Sequence, residues 1–158
     1  MKIIRIDASF SRWGELLQLI LSSFAYMNDR IDPPSSALGL TPQSLAEKAA
    51  NEIGYLALEG EDLLGCMFLK QEPECLYIGK LAVAPEAQGG GVGRQLLQIA
   101  EGVAKERGLP ALRLDTRIEL TENHVVFAGW GFARTAEKSH PGFDRITYIE
   151  MRKALTAG

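Results

Sequence analysis

The sequence predicts an α/β domain whose sheet is mostly antiparallel with one parallel strand pair, flanked by helices. Three observations carry this expectation. Residues 54–83 read as three short β-rich runs joined by tight turns, the pattern of an antiparallel meander. A glycine-rich turn then opens a helix at about Val92 that stops before Pro110. The strand after it, Ala111 to Thr116, can lie parallel to the last meander strand, because a whole helix separates the two.

Lys2 to Asp7 alternates apolar and polar residues as a strand does. Trp13, Leu16, Leu17, Ile20, Leu21 and Phe24 then recur at the spacing of an amphipathic helix. Residues 28–40 carry turn-forming dipeptides and no period, so they form a loop. Thr41 followed by Pro42 reads as an N-cap with proline at the first helical position, opening a second helix to about Ile53. The meander strands are Tyr55 to Leu58, Leu63 to Lys70 and Leu76 to Val83. A short helix at about Thr121 to Trp130 ends at Gly131. Strands at about Phe132 to Glu137 and Phe143 to Arg152 finish the chain around His140-Pro141-Gly142. The expected order is β-αα-βββ-α-β-α-ββ.

At 158 residues the chain, 1–158, suits one domain large enough to bury a core without staples. A net charge of −3 argues against a domain that binds by neutralising nucleic-acid phosphates. Cys66 and Cys75 fall on strand-like stretches without CxxC spacing and read as free buried thiols, which fits a reducing cytoplasm. The most apolar run, Leu16 to Phe24, is too short for a membrane span, which needs about 20 residues. The N-terminus alternates like a strand rather than reading as a secretory signal. No membrane association is expected. Two separated histidines and no carboxylate cluster at ligand spacing predict no metal.

Gln88-Gly89-Gly90-Gly91-Val92-Gly93-Arg94 sits where strand gives way to helix. There the unpaired N–H groups and the positive end of the helix dipole favour an anion. Four glycines let the backbone approach a phosphate closely, and Gln88 and Arg94 can add side-chain donors. A Walker loop is excluded, because Gly93 is followed by Arg94 and Gln95 rather than Lys-Ser/Thr. A dinucleotide fingerprint fails at Leu96, where a glycine is required, although Asp115 closes the next strand at a suitable distance.

At these residues the chain resembles the GNAT superfamily of acyl-CoA-dependent N-acetyltransferases, whose motif is Gln/Arg-x-x-Gly-x-Gly/Ala at a helix start. Gln88, Gly91 and Gly93 match it in register. The resemblance extends upstream through Leu81-Ala82-Val83 and Ala84-Pro85-Glu86 and downstream from Asn123 to Gly131-Phe132. It implies transfer of an acetyl group from acetyl-CoA to a primary amine of a small molecule or peptide. A catalytically weak or silent acyl-CoA-binding sensor or interaction module is the alternative. A homodimer is an open assembly state.

By position, the resemblance assigns the cofactor to Leu81, Ala82, Val83, Gln88, Gly89, Gly90, Gly91, Val92, Gly93, Arg94, Asn123 and Phe127. The strand before the glycine turn bulges in the family. Leu81 and Val83 would then pair with the pantetheine arm, and a strand N–H near Leu81 would face the thioester oxygen. Asn123 equally suits a helix cap. Phe127 stands where the family commonly carries a tyrosine that protonates the departing thiolate, a role Phe127 cannot fill and that is left to water or to another side chain such as Tyr148. Many relatives place an acidic residue where this chain has Gly79 and Lys80. The base therefore stays open among Asp29, Asp32, Glu72, Glu119 and Asp144. The acceptor is expected between the 28–40 loop and the 138–144 turn, with Tyr26, Asp32 and His140 as contacts.

Overall fold

Alternating residues of one central strand divide the interior into two cores. The computed structural model describes residues 1–155. Within it, β1 (Lys2–Arg5) leads to α1 (Trp13–Phe24) and α2 (Pro42–Asn51), followed by β2 (Ile53–Glu59), β3 (Asp62–Gln71) and β4 (Leu76–Val83). Then α3 (Val92–Glu106) crosses to β5 (Ala111–Arg117), and α4 (Thr121–Gly129), β6 (Ala133–Lys138) and β7 (Tyr148–Ala154) complete the order that the sequence predicts. On β3, Cys66 and Phe68 pack with Leu16, Ile20, Leu45 and Leu56 on the α1–α2 face. Met67 and Leu69 pack with Leu76, Leu96, Leu97 and Leu112 on the α3 face. A strand with helices on both faces needs apolar side chains at consecutive positions, and β3 supplies them.

The sheet order is β1-β2-β3-β4-β5-β7-β6. Every pair is antiparallel except β4–β5, the parallel step that α3 makes possible. α2 begins in a capping box: Thr41 Oγ1 accepts from the Ser44 N–H at 3.0 Å, and Ser44 Oγ accepts from the Thr41 N–H at 2.9 Å. This helix ends at Asn51 rather than near Ile53, because Ile53 already pairs with Leu69 in the β2–β3 ladder.

Two other boundaries differ from expectation. β1 stops at Arg5, and Asp7 turns the chain by accepting from the Ser9 N–H at 2.9 Å. β7 begins at Tyr148 rather than Phe143. Residues 143–147 fold back on residues 139–140 instead: Ser139 Oγ donates to the Arg145 carbonyl at 2.6 Å, and Thr147 Oγ1 accepts from the His140 N–H at 2.8 Å. Both cysteines are free and buried, with burial pushing the Cys66 thiol up to about 12 and leading the rise of Cys75 to about 11. Among the described residues, no helix is long and apolar enough to cross a membrane.

Phe68 is fully buried between the sheet and α1, whereas Thr41 acts only as a cap. Phe68→Ala is expected to cost about 3–5 kcal/mol of unfolding free energy by cavity formation. Thr41→Ala should cost about 1 kcal/mol. Urea titrations check both, and equal costs would contradict the placement of Phe68 in the core.

Candidate active site

β4 carries a bulge at the point where it leaves its parallel neighbour. The β3–β4 ladder pairs Phe68 with Gly79 and Cys66 with Ala82, so it skips Lys80 and Leu81. Lys80 has a φ of +49°, alone among the described non-glycine residues in being positive. That conformation is left-handed and costs an L-residue about 1–2 kcal/mol. On its other edge β4 pairs with β5 only at Leu76↔Leu112 and Tyr77↔Arg113. Beyond those two pairs the strands part, and a cleft of about 910 Å³ opens between them and α4. Leu81 lines this cleft with its main chain outside both ladders, where an N–H can serve an added chain or a developing oxyanion.

The glycine turn forms one end of the same cleft. Gly89 and Gly91 have φ of +84° and +86°, a region open to glycine at little cost, and a Cβ at either would meet nothing within 4 Å. α3 starts without a side-chain cap. The bond from the Gln95 N–H to the Gly91 carbonyl, at 3.0 Å, closes its first turn, so the N–H groups of Val92, Gly93 and Arg94 have no intrahelical acceptor. Gly89, Gly91, Val92, Gly93 and Arg94 all line the cleft. The amides, the helix dipole and the Arg94 guanidinium make this end suitable for a pyrophosphate.

Several expected contacts are used differently. Ala82 is buried in the α1-side core and pairs with Cys66, so it supports the cleft without lining it. The Val83 N–H donates to Ser23 Oγ at 3.2 Å, and its carbonyl accepts from Gln88 Nε2 at 3.2 Å. Val83 therefore has both main-chain groups engaged inside the protein, and the Gln88 amide braces the turn. Gly90 is outside the lining, and its N–H donates to the Ala87 carbonyl at 3.3 Å. The sequence reading overlooked Ser23, whose buried hydroxyl on α1 fixes the end of β4.

α4 forms the opposite wall. Asn123 is its third residue and does not cap it; its Nδ2 donates to the Tyr26 hydroxyl at 2.9 Å. Arg30 pairs with Glu122 at 2.7 Å, a second link between α4 and the segment after α1. Phe127 lines the cleft and packs edge-on against Trp130 and Phe132, with centroids 5.7 and 6.0 Å away. Thr116 also lines the cleft, and its Oγ1 is buried with no partner, a free hydrogen-bonding group for an inserted polar arm.

None of the carboxylates expected as bases, Asp29, Asp32, Glu72, Glu119 and Asp144, lines the cleft. Glu72 is bidentate on Arg113 at 2.8 and 3.0 Å, and Asp32 and Glu119 both face Arg145. The carboxylate that does line it on β5 is Asp115, held by Arg113 at 3.0 Å. Burial raises the Asp115 pKa, with the Arg113 charge opposing. Asp115 lies two residues past the last β4–β5 pair, beside the parting of the strands. Strand alternation places it on the same face as Arg113 and Arg117.

Arg145, the residue just after the 138–144 turn, reaches the 28–40 loop by donating from its guanidinium to the Asp32 carbonyl at 2.8 Å. Tyr26 lines the cleft, whereas Asp32 and His140 stand outside its lining. His140 packs edge-on against Tyr148 at 4.9 Å, with Nδ1 2.5 Å from Thr147 Oγ1; burial, then the charge of Arg117, lowers its pKa. Tyr148 is likewise outside the cleft lining, paired in the sheet with Arg117 and Lys138. Among the described residues, no group of three or more His, Cys, Asp or Glu side chains is placed to hold a metal ion.

Comparison with known proteins matches this arrangement. The model of the acetyltransferase (GNAT) family matches residues 14–132. An "IAA acetyltransferase" of Azospirillum brasilense is 31% identical over 143 residues, covering 89% of this chain and 90% of that protein. Among solved structures, the PaiA N-acetyltransferase of Thermoplasma acidophilum in complex with coenzyme A superposes with a TM-score of 0.78 at 17% identity, covering 98% of this chain and 100% of that one. A GNAT family acetyltransferase of Elizabethkingia anophelis with acetyl-CoA bound gives a TM-score of 0.70 at 21% identity, covering 98% and 97%. With its bulged β4, its parted parallel strands and its glycine turn at the head of α3, the chain belongs to the acetyltransferase (GNAT) family.

Proposed function

We propose that this protein transfers an acetyl group from acetyl-CoA to a primary amine of a small molecule or peptide. The observation that carries the reading is the parting of β4 from β5 beside an uncapped, glycine-lined helix start. Acyl-CoA has the matching parts: a pantetheine arm whose amides suit the free strand edge, and a pyrophosphate that suits the amides of Gly89 and of residues 91–94. The orphaned Thr116 hydroxyl and the apolar wall of Phe127 and Trp130 fit the arm between these ends. The family match and the 31% identical acetyltransferase support acetyl as the group transferred.

In this reading the two walls divide the chemistry. Asp115 takes a proton from the acceptor ammonium, which leaves a neutral amine able to attack the thioester carbonyl carbon. The Leu81 N–H donates to the carbonyl oxygen as it gains negative charge. One N–C bond forms and one C–S bond breaks, and water carries the amine's second proton to the thiolate, because Phe127 has none to give. A thiol of ordinary pKa near ~8.5 leaves well enough for this route.

Gly91→Asp would place a side chain and a negative charge in a left-handed turn meant for phosphate. Its affinity for coenzyme A by calorimetry is expected to fall at least about tenfold, one lost charge-assisted contact, with circular dichroism unchanged. Unchanged affinity in a folded variant would remove the turn from the cofactor site. Asp115→Asn should lower kcat/KM for the acceptor by about 10²- to 10⁴-fold, the usual contribution of a general base. The base acts ionised, so the parent rate should rise with pH through a pKa that burial lifts above the ordinary aspartate range, and the variant should lose that limb. An identical pH profile would place the base elsewhere.

A further inference from the structure

The cleft wall next to Leu81 carries two cations that form no ion pair among the described residues. Lys80 and Arg117 both line the cleft, one from the bulge of β4 and the other from the end of β5. They converge on one stretch of the loop after α1: Lys80 Nζ donates to Ser36 Oγ at 2.5 Å, and the Arg117 guanidinium donates to the Pro33 and Pro34 carbonyls at 2.6 and 3.0 Å. These partners are neutral. Most carboxylates of the surroundings are paired with another cation, Glu52 with Lys48, Asp32 with Arg145, Glu122 with Arg30 and Asp115 with Arg113, while Glu119 lies 3.9 Å from Arg145. Among the described residues neither Lys80 nor Arg117 forms an ion pair; burial, then the charges of Lys48 and Arg117, lowers the Lys80 pKa against Glu52, and burial lowers that of Arg117 against Glu119 and Asp32.

Half-buried like charges kept together without a counter-ion are a standing cost that a bound anion relieves. The coenzyme's phosphates belong to the other end of the cleft, at residues 89–94, so the anion must come from what meets the thioester. Lys80 directly precedes Leu81, and both line the same part of the cleft. We propose that the acceptor is an amino acid, whose carboxylate is bound by Lys80 and Arg117 while its amine is presented to the thioester. The proposal rests on the acetyl-transfer reading above and adds the chemical class of the acceptor.

The test compares L-amino acids with their carboxamides and their decarboxylated amines, using acetyl-CoA and following free-thiol release in the parent, Lys80→Met and Arg117→Gln. The expected result is a kcat/KM at least about tenfold higher for the acids than for both neutral analogues in the parent, the size of one charge-assisted hydrogen bond, with the preference lost in either folded variant. Equal or better use of the analogues would overturn the acceptor assignment while leaving acetyl transfer intact. A parallel series with succinyl-CoA covers the other source of a carboxylate. If Lys80 and Arg117 control selectivity for the acyl chain and not for the acceptor, the anion belongs to the donor and the proposal fails. Binding of coenzyme A without turnover of any amine would overturn the acetyl-transfer reading, and this proposal with it.

Discussion

Two parallel strands that hydrogen-bond at Leu76↔Leu112 and Tyr77↔Arg113 and then separate leave a row of main-chain groups in need of partners. The rest of the site depends on that separation. The bulge at Lys80 and Leu81 makes it permanent, because the β3 ladder resumes at Ala82 while β5 continues on its own course toward β7. Core packing holds both strands in place, with Leu76, Leu112 and Leu114 against α3 and Ala82 against α1. The gap is therefore built into the frame, and its walls need not rearrange before an extended ligand can pair with them.

The same bulge distributes the chemistry. It takes Leu81 out of both ladders at the cleft and places Lys80 on the wall where Arg117 ends β5. Asp115 comes from the facing strand, partly buried, and its pair with Arg113 fixes the carboxylate. Glu72 takes two other donors of the same guanidinium, so a single arginine links the β3–β4 turn to the cleft. In the proposed reading, donor recognition belongs to the glycine turn and acceptor recognition to Lys80 and Arg117, with the reacting groups between them.

Much of the frame was legible because periodicity and end signals agree along this chain. The meander, the Thr41-Pro42 helix start and the glycine turn are local signals, and each formed where its residues indicated. The bulge was not legible from the residues themselves: Leu76 to Val83 reads as an unbroken strand, and a lysine gives no warning of positive φ. Asp115 was passed over as a base because its value depends on which face of β5 meets the cleft, and that is set by the partner strands. Asn123 suits a helix cap in sequence, yet its amide reaches Tyr26, a contact 97 residues distant that no local rule contains. Phe143, Ile146 and Thr147 favour a strand, but Ser139 Oγ takes the Arg145 carbonyl and Thr147 Oγ1 takes the His140 N–H, which draws the segment into a turn.

The central claim is that an acyl-CoA lies along the gap, with its arm at Leu81 and its phosphates at the head of α3. Amide-resolved NMR with added coenzyme A tests this most directly. The account predicts that the N–H resonances of Leu81, Gly89, Gly91, Val92, Gly93 and Arg94 shift together on saturation and that their hydrogen exchange slows, while those of β1 and β6 stay unchanged. Shifts confined to the glycine turn, with Leu81 unaffected, would contradict a ligand arm lying between β4 and β5.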